Sequence, residues 1–122
     1  MKIIFVDTEF TGEHSKATLV SAGFVPLDNK RLYITLNDYK KDQVTPWLKK
    51  NVIKKINKKF SINKREAYKK VSKFFKDYSQ GQKIQLITAG KTLDLILVFE
   101  LFHQKSPKKK YMHYLHDLPK YL

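Results

Sequence analysis

The sequence lacks cysteine altogether, which excludes disulfide bonds and zinc sites built on thiolates. This absence fits a reducing compartment, and a cytoplasmic location is the expectation. Acidic residues are also scarce, since 11 Asp and Glu stand against 25 Lys and Arg and give a formal charge of +14. Such a charge attracts polyanions, so nucleic acid is the leading partner. A lysine-rich surface that serves only solubility explains the charge almost equally well.

Long hydrophobic runs are missing as well. No stretch approaches the ~20 apolar residues that a membrane-spanning helix needs, and Asp94 and Glu100 interrupt the best candidate. The apolar start of the chain ends at Asp7 and Glu9, too early for an export signal. No membrane association is therefore expected. The length of 122 residues predicts one domain over residues 1–122.

Hydrophobic periodicity predicts an α/β fold that opens with a three-strand β-meander. A mixed sheet flanked by helices follows from the element order, with the strand at 84–88 parallel to the strand at 3–6 and next to it. The carboxyl ends of these two strands would then share one crevice. The predicted strands are 3–6, 18–25, 31–36, 84–88 and a final one at 111–115. The predicted helices start at Thr45-Pro46, with Thr45 as cap, at Asn63, with capping-box spacing to Glu66 and a stop at Gly81, and at Thr92.

The helix that starts at Pro46 is expected to carry a broad basic face, because lysine pairs recur every four to five residues along it. Its aromatic residues, Trp47 and Phe60, are predicted to lie in the core. The basic face suits tracking of phosphates, although a solvated lysine face is a common alternative. The pairs are Lys49-Lys50, Lys54-Lys55 and Lys58-Lys59.

Two acids follow the first strand at alternate positions. Because strand side chains alternate, Asp7 and Glu9 project from one face while Thr8 points to the other. Two like charges at the end of a hydrophobic strand repel each other unless a cation neutralises them, and Mg²⁺ or Mn²⁺ would do so. The simpler alternative is that the strand has already ended and both acids are solvated.

The stretch Asp7-Thr8-Glu9-Phe10-Thr11-Gly12 after a buried strand, with the strand Leu19 to Val25 about ten residues on, resembles the opening of the DEDD superfamily of 3′-5′ exonucleases. Within that superfamily, the chain is most similar to small bacterial and phage exoribonuclease-like proteins, which also place a Trp-containing helix after the third strand. The resemblance implies an RNase H-like fold. It also implies that Asp94, in Ala89-Gly90-Lys91-Thr92-Leu93-Asp94, is the third carboxylate. Asp94 is alternatively an acid that complements a helix dipole.

The family's last motif supplies a fourth acid from a late helix, preceded by His or Tyr. In this sequence Asp117 and His113 come nearest to it, and His14, His103 and His116 are the other histidines that could act as general base. Three explanations for the imperfect match stay open: the chain is truncated, a homodimer or partner chain completes the site, or Asp117 and a histidine substitute.

The resemblance implies hydrolysis of phosphodiester bonds with two Mg²⁺ or Mn²⁺ ions. Asp7 would bridge them, Glu9 would bind the first and Asp94 would support the second. Thr8 and Phe10 would contact the 3′ nucleotide of single-stranded RNA or DNA, with core packing an equal possibility for Phe10. Lys49, Lys50 and Lys54 would guide the strand. The alternative function is a catalytically inactive RNase H-like module that binds nucleic acid or an acidic protein through its basic surface.

Overall fold

The computed structural model describes residues 2–12, 16–28, 30–89 and 92–102. These residues form a mixed α/β fold with one sheet and three α-helices. The strand expected at 111–115 lies outside the described residues. No helix in the described ranges is long and apolar enough to cross a membrane. In chain order the elements are β1 (Lys2–Phe10), β2 (Leu19–Pro26), β3 (Leu32–Thr35), a 3-10 helix at Lys41–Gln43, α1 (Pro46–Asn51), 3-10 helices at Ile53–Lys55 and Lys58–Phe60, α2 (Lys64–Ser79), β4 (Ile84–Ile87) and α3 (Thr92–Phe102).

The four strands lie in the order β3-β2-β1-β4. β1 pairs antiparallel with β2 and β2 with β3, so the predicted meander is confirmed. β4 pairs parallel with β1, with Lys2 beside Ile84 and Phe5 beside Ile87, which confirms the predicted neighbours. Since this pairing ends at Phe5, the last five residues of β1 extend beyond β4. The segments that leave both carboxyl ends therefore reach the same edge of the sheet.

The main core lies between α2, α3 and one face of the sheet. Ile4 and Val6 of β1 alternate into it, and three aromatic rings join the layers. The ring centroid of Phe75 lies 5.6 Å from that of Phe24 and 5.7 Å from that of Phe102. Such contacts add to the free energy gained by burying apolar surface, at about 0.5–1.5 kcal/mol per pair.

The boundaries of α2 have identifiable local causes. The side chain of Asn63 accepts a hydrogen bond from the backbone N–H of Glu66 at 2.9 Å, as the predicted N-cap requires. The helix ends where Gln80 and then Gly81 adopt left-handed backbone conformations with φ of 49° and 81°. The predicted stop at Gly81 therefore begins one residue earlier.

A second, smaller cluster holds residues 39–56 against the sheet. Val20, Tyr39 and Leu48 are its buried members. Partly buried apolar residues pack around them: Val44, Val52, Ile53 and Ile56. This cluster fixes the position of α1, whose start is capped as predicted, with Thr45 Oγ1 accepting a hydrogen bond from Leu48 N–H at 3.1 Å.

Two expectations about this segment are wrong. The long helix is broken, because Val52 leaves helical geometry at φ −123° and two 3-10 turns follow. Trp47 and Phe60 are not core residues but are 63% and 68% exposed. For Trp47 the physical reason is that a six-residue helix turns only one narrow side inward, and Leu48 already occupies it. Phe60 lies instead on the 3-10 helix Lys58–Phe60, which has no buried residue. The lysines consequently lie on a short helix and turns rather than on one continuous helical face.

Tyr78 connects α2 to β1 through contacts with Ile3 and Lys2. Its hydroxyl donates a hydrogen bond to the Ile3 carbonyl at 3.2 Å, and the Lys2 ammonium lies 5.2 Å from its ring centroid. Burial, and next the neighbouring Asp28 carboxyl, raises the pKa of Tyr78 above its usual value. The folded protein therefore keeps Tyr78 neutral at a pH where the unfolded chain ionises it.

We predict that Tyr78→Phe lowers the free energy of unfolding by about 1 kcal/mol near neutral pH, through loss of that hydrogen bond. The neutral tyrosine contributes stability that is fully present below about pH 10 and is lost as pH rises further. The difference between wild type and variant should therefore shrink at high pH in urea unfolding. Tyr33→Phe, at an exposed position, should change little. A difference in the free energy of unfolding between wild type and Tyr78→Phe that stays constant above pH 10 would contradict the raised pKa of Tyr78.

Candidate active site

The acidic pair lies on the part of β1 that extends beyond β4. Asp7 is opposite Gly23 and Glu9 is opposite Ser21 of β2. Asp7 is exposed and Glu9 half-buried, whereas Thr8 between them is only 3% exposed. The predicted alternation is therefore present, with both acids on one side of the strand and Thr8 directed into the protein.

Asp94, in the first turn of α3, reaches the same edge of the sheet from behind. It is 2% exposed, and its Oδ1 accepts a hydrogen bond from Thr8 Oγ1 at 2.5 Å. The hydrogen bond joins two residues that are 86 positions apart in the chain. It holds the start of α3 directly behind the Asp7–Glu9 segment.

Asp7, Glu9 and Asp94 thus meet at one edge without forming one cluster. Asp94 contacts the residue between the two acids, on the side of β1 that Asp7 and Glu9 do not use. Across the part of the chain that the structure describes, no group of three or more His, Asp or Glu residues is arranged to hold a metal ion. The other predicted site residues, Asp117 and His113, lie outside the described residues, as do His14, His103 and His116.

A pocket of about 250 Å³ opens beside Glu9. One wall comes from the end of β1 and the residues after it, and the other from the start of α1. Phe10 packs on the main core and also lines this pocket, so the two roles weighed for it are compatible. The lining residues are Glu9, Phe10, Thr11, Gly12, Thr45, Trp47 and Leu48.

Gln43 ties the two walls of the pocket together. Its Oε1 accepts hydrogen bonds from Thr11 Oγ1 at 2.6 Å and Thr18 Oγ1 at 3.2 Å, and its Nε2 donates to the Lys16 carbonyl at 2.8 Å. The backbone N–H of Lys40 donates to Thr18 Oγ1 at 3.0 Å. This network fixes the segment before α1 against the loop between β1 and β2. Sequence analysis missed Gln43, because polar residues at unrelated spacings carry no periodic signal.

The predicted strand-guiding lysines border a larger groove of about 620 Å³ on the other side of α1. Isoleucines form its floor and exposed lysines its rim. No acidic residue occurs between Gln43 and Arg65, and the ion pairs among described residues do not involve these lysines. The lining residues are Pro46, Lys49, Lys50, Ile53, Lys54, Ile56 and Lys58.

The sequence matches no protein-family model, and no curated protein is similar to it at a significant level. The resemblance to DEDD exonucleases therefore depends on the motif residues alone.

The hydrogen bond between Thr8 and Asp94 can be tested by an isosteric change. We predict that Thr8→Val lowers the free energy of unfolding by about 1–3 kcal/mol, because a buried carboxyl oxygen loses a donor. Thr8→Ser keeps the hydroxyl and should recover most of this loss. Chemical denaturation of the three proteins at one pH measures both effects. Equal stability of Thr8→Val and wild type would show that this contact does not hold α3 in place.

Proposed function

We propose that this protein is a metal-dependent 3′-5′ exonuclease of the RNase H-like fold, acting on the 3′ end of single-stranded RNA or DNA. The observation that carries this proposal is the pair of acids, Asp7 and Glu9, on one side of the end of β1 and beside an open pocket. The hydrogen bond from Thr8 to Asp94 brings a third acid to the same strand end, on the other side of β1. An acid pair on the first strand, with a further acid at the start of a helix after the fourth strand, is the order of acids along the chain that the family resemblance implies.

The strand order supports the same proposal. An antiparallel meander, followed by a strand that pairs parallel with the first, is the sheet that the element order predicts, and it is compatible with the RNase H-like fold that the resemblance implies. In α/β sheets of this kind, ligands bind where the carboxyl ends of neighbouring parallel strands meet. The acids and the pocket beside Glu9 lie at that edge.

The residues present fit a hard divalent cation. Mg²⁺ prefers oxygen ligands and commonly uses one or two protein carboxylates, with water and substrate phosphate completing the coordination. Asp7 is exposed and Glu9 is half-buried beside an open pocket, so solvent and a phosphate can reach the pair. The absence of thiolates across the whole sequence agrees with an oxygen-only site.

In this proposal each residue has a separate task. Asp7 and Glu9 would hold the metal, which when bound lowers the pKa of an attacking water and stabilises charge on the leaving oxygen. Asp94, which the resemblance implies as support for the second ion, lies on the other side of β1 and would hold the start of α3 behind the pair through its hydrogen bond with Thr8. The walls of the pocket, with Phe10 and Trp47, would orient the terminal nucleotide for in-line attack. Asp117 and His113 are proposed to supply the last carboxylate and the general base.

A second candidate is a binding module without catalysis. The observation in its favour is the lysine-rimmed groove, which lies in a stretch without acidic residues and next to the exposed Trp47. A protein of this kind would bind nucleic acid, or an acidic protein, with strong salt dependence. Its binding would depend neither on Asp7 and Glu9 nor on a divalent metal.

The nuclease proposal predicts that purified protein shortens end-labelled single-stranded RNA or DNA from the 3′ end, in single-nucleotide steps, when Mg²⁺ or Mn²⁺ is added. Asp7→Asn should reduce the rate by on the order of 100-fold or more, because it weakens a direct metal ligand. Asp77→Asn, an exposed isosteric change on α2, serves as the control and should retain the wild-type rate.

No shortening under either metal, or equal rates for Asp7→Asn and wild type, would contradict the nuclease proposal. Oligonucleotide binding that is the same in EDTA and in the Asp7→Asn variant would then identify the protein as the binding module. Circular dichroism of each variant establishes that a lost activity does not reflect a lost fold.

A further inference from the structure

The pocket at Glu9 and the lysine groove share one wall. Trp47 and Leu48 of α1 line the pocket, while Pro46, Lys49 and Lys50 of the same helix line the groove. α1 has six residues and is therefore about 9 Å long. A ligand that leaves the pocket past Trp47 reaches the groove within the length of this helix.

The groove has the chemistry of a polyanion site with apolar contacts. Four lysines, Lys49, Lys50, Lys54 and Lys58, surround the side chains of Ile53 and Ile56. Each of these lysines is exposed, and none is neutralised by a carboxylate of the described residues. Single-stranded nucleic acid presents both features that such a surface binds, namely a row of phosphates and the flat faces of sugars and bases.

We propose that this groove binds the backbone of single-stranded nucleic acid upstream of the terminal nucleotide, so that the preferred substrate is longer than a dinucleotide. The inference rests on the proposed function, because it takes the 3′ end of the strand to lie in the pocket at Glu9. The strand then passes Trp47 and follows the lysines from Lys49 towards Lys58. Affinity therefore rises with strand length until the groove is filled.

An anionic membrane is a weaker fit for this groove. Membrane-surface helices present a long convex apolar face with a basic border, whereas α1 is short and the groove beside it is concave. An acidic polypeptide offers charge but no bases to pack on the exposed Trp47. These two occupants are outcomes of the test.

Trp47 is the sole tryptophan of the chain, so intrinsic fluorescence reports on the wall between pocket and groove. Binding is measured in EDTA, where no strand is cut, with a dinucleotide and with an oligonucleotide of about ten residues, a typical single-strand site size. The test variant is Lys49→Ala/Lys54→Ala. The matched control is Lys70→Ala/Lys76→Ala, which removes the same charge from exposed positions on α2.

The expected result is that the longer strand quenches the fluorescence of Trp47 and binds the wild-type protein and the control variant with equal affinity. The groove variant binds this strand at least about tenfold more weakly, and its slope of log affinity against log salt falls by about 1.4, or about 0.7 for each lost phosphate contact. Dinucleotide binding changes less than about twofold in both variants, because the dinucleotide does not reach the groove. Cleavage in Mn²⁺ then shows the same length dependence.

Several outcomes separate this inference from the proposed function. If the groove variant, the control variant and the wild type cleave long strands at equal rates, the proposed role of the groove is overturned while the nuclease proposal is supported. If the predicted binding pattern is found but no strand is cleaved, the proposed role of the groove is supported and the nuclease proposal is overturned. Phosphatidylserine vesicles and polyglutamate are tested in the same way. The assignment to nucleic acid is overturned if either of them quenches Trp47 fluorescence, binds as tightly as the oligonucleotide and binds the groove variant more weakly than wild type.

Discussion

The contact between Thr8 and Asp94 determines where the start of α3 lies relative to the end of β1. Thr8 lies in β1 and Asp94 in α3, and both side chains are almost completely buried where they form their hydrogen bond. A buried polar group without a partner is costly, so each residue constrains the position of the other. The constraint places the start of α3 at the end of β1, behind the strand segment that presents Asp7 and Glu9.

The parallel pairing of β4 with β1 makes that contact possible. Because β4 ends opposite Phe5, the chain leaves the sheet early and α3 begins beside the part of β1 that extends beyond β4. The core then fixes the arrangement, since α2 and α3 pack on the face that carries Ile4 and Val6. A change of one residue in strand register would turn Thr8 outward and the acids inward.

The two surfaces of α1 connect this edge with the basic side of the molecule. Leu48 anchors the helix in the small cluster, which leaves Trp47 exposed beside the pocket and the lysines exposed beside the groove. Gln43 and its threonine partners hold this segment against the β1–β2 loop. The acidic edge and the lysine-rimmed groove therefore lie on adjoining surfaces of one small fold.

The sequence alone determined the alternation of Asp7, Thr8 and Glu9, the strands near 3, 19, 32 and 84, and the caps at Thr45 and Asn63. These features depend on local geometry: strand side chains alternate, and a capping side chain bonds a backbone N–H two or three residues on. Only the tertiary structure decided that Asp94 contacts Thr8, that Gln43 links two loops, and that Trp47 and Phe60 are exposed. Apolar character predicts that a residue favours burial, but the space left beside Leu48 and the sheet decides which residue is buried.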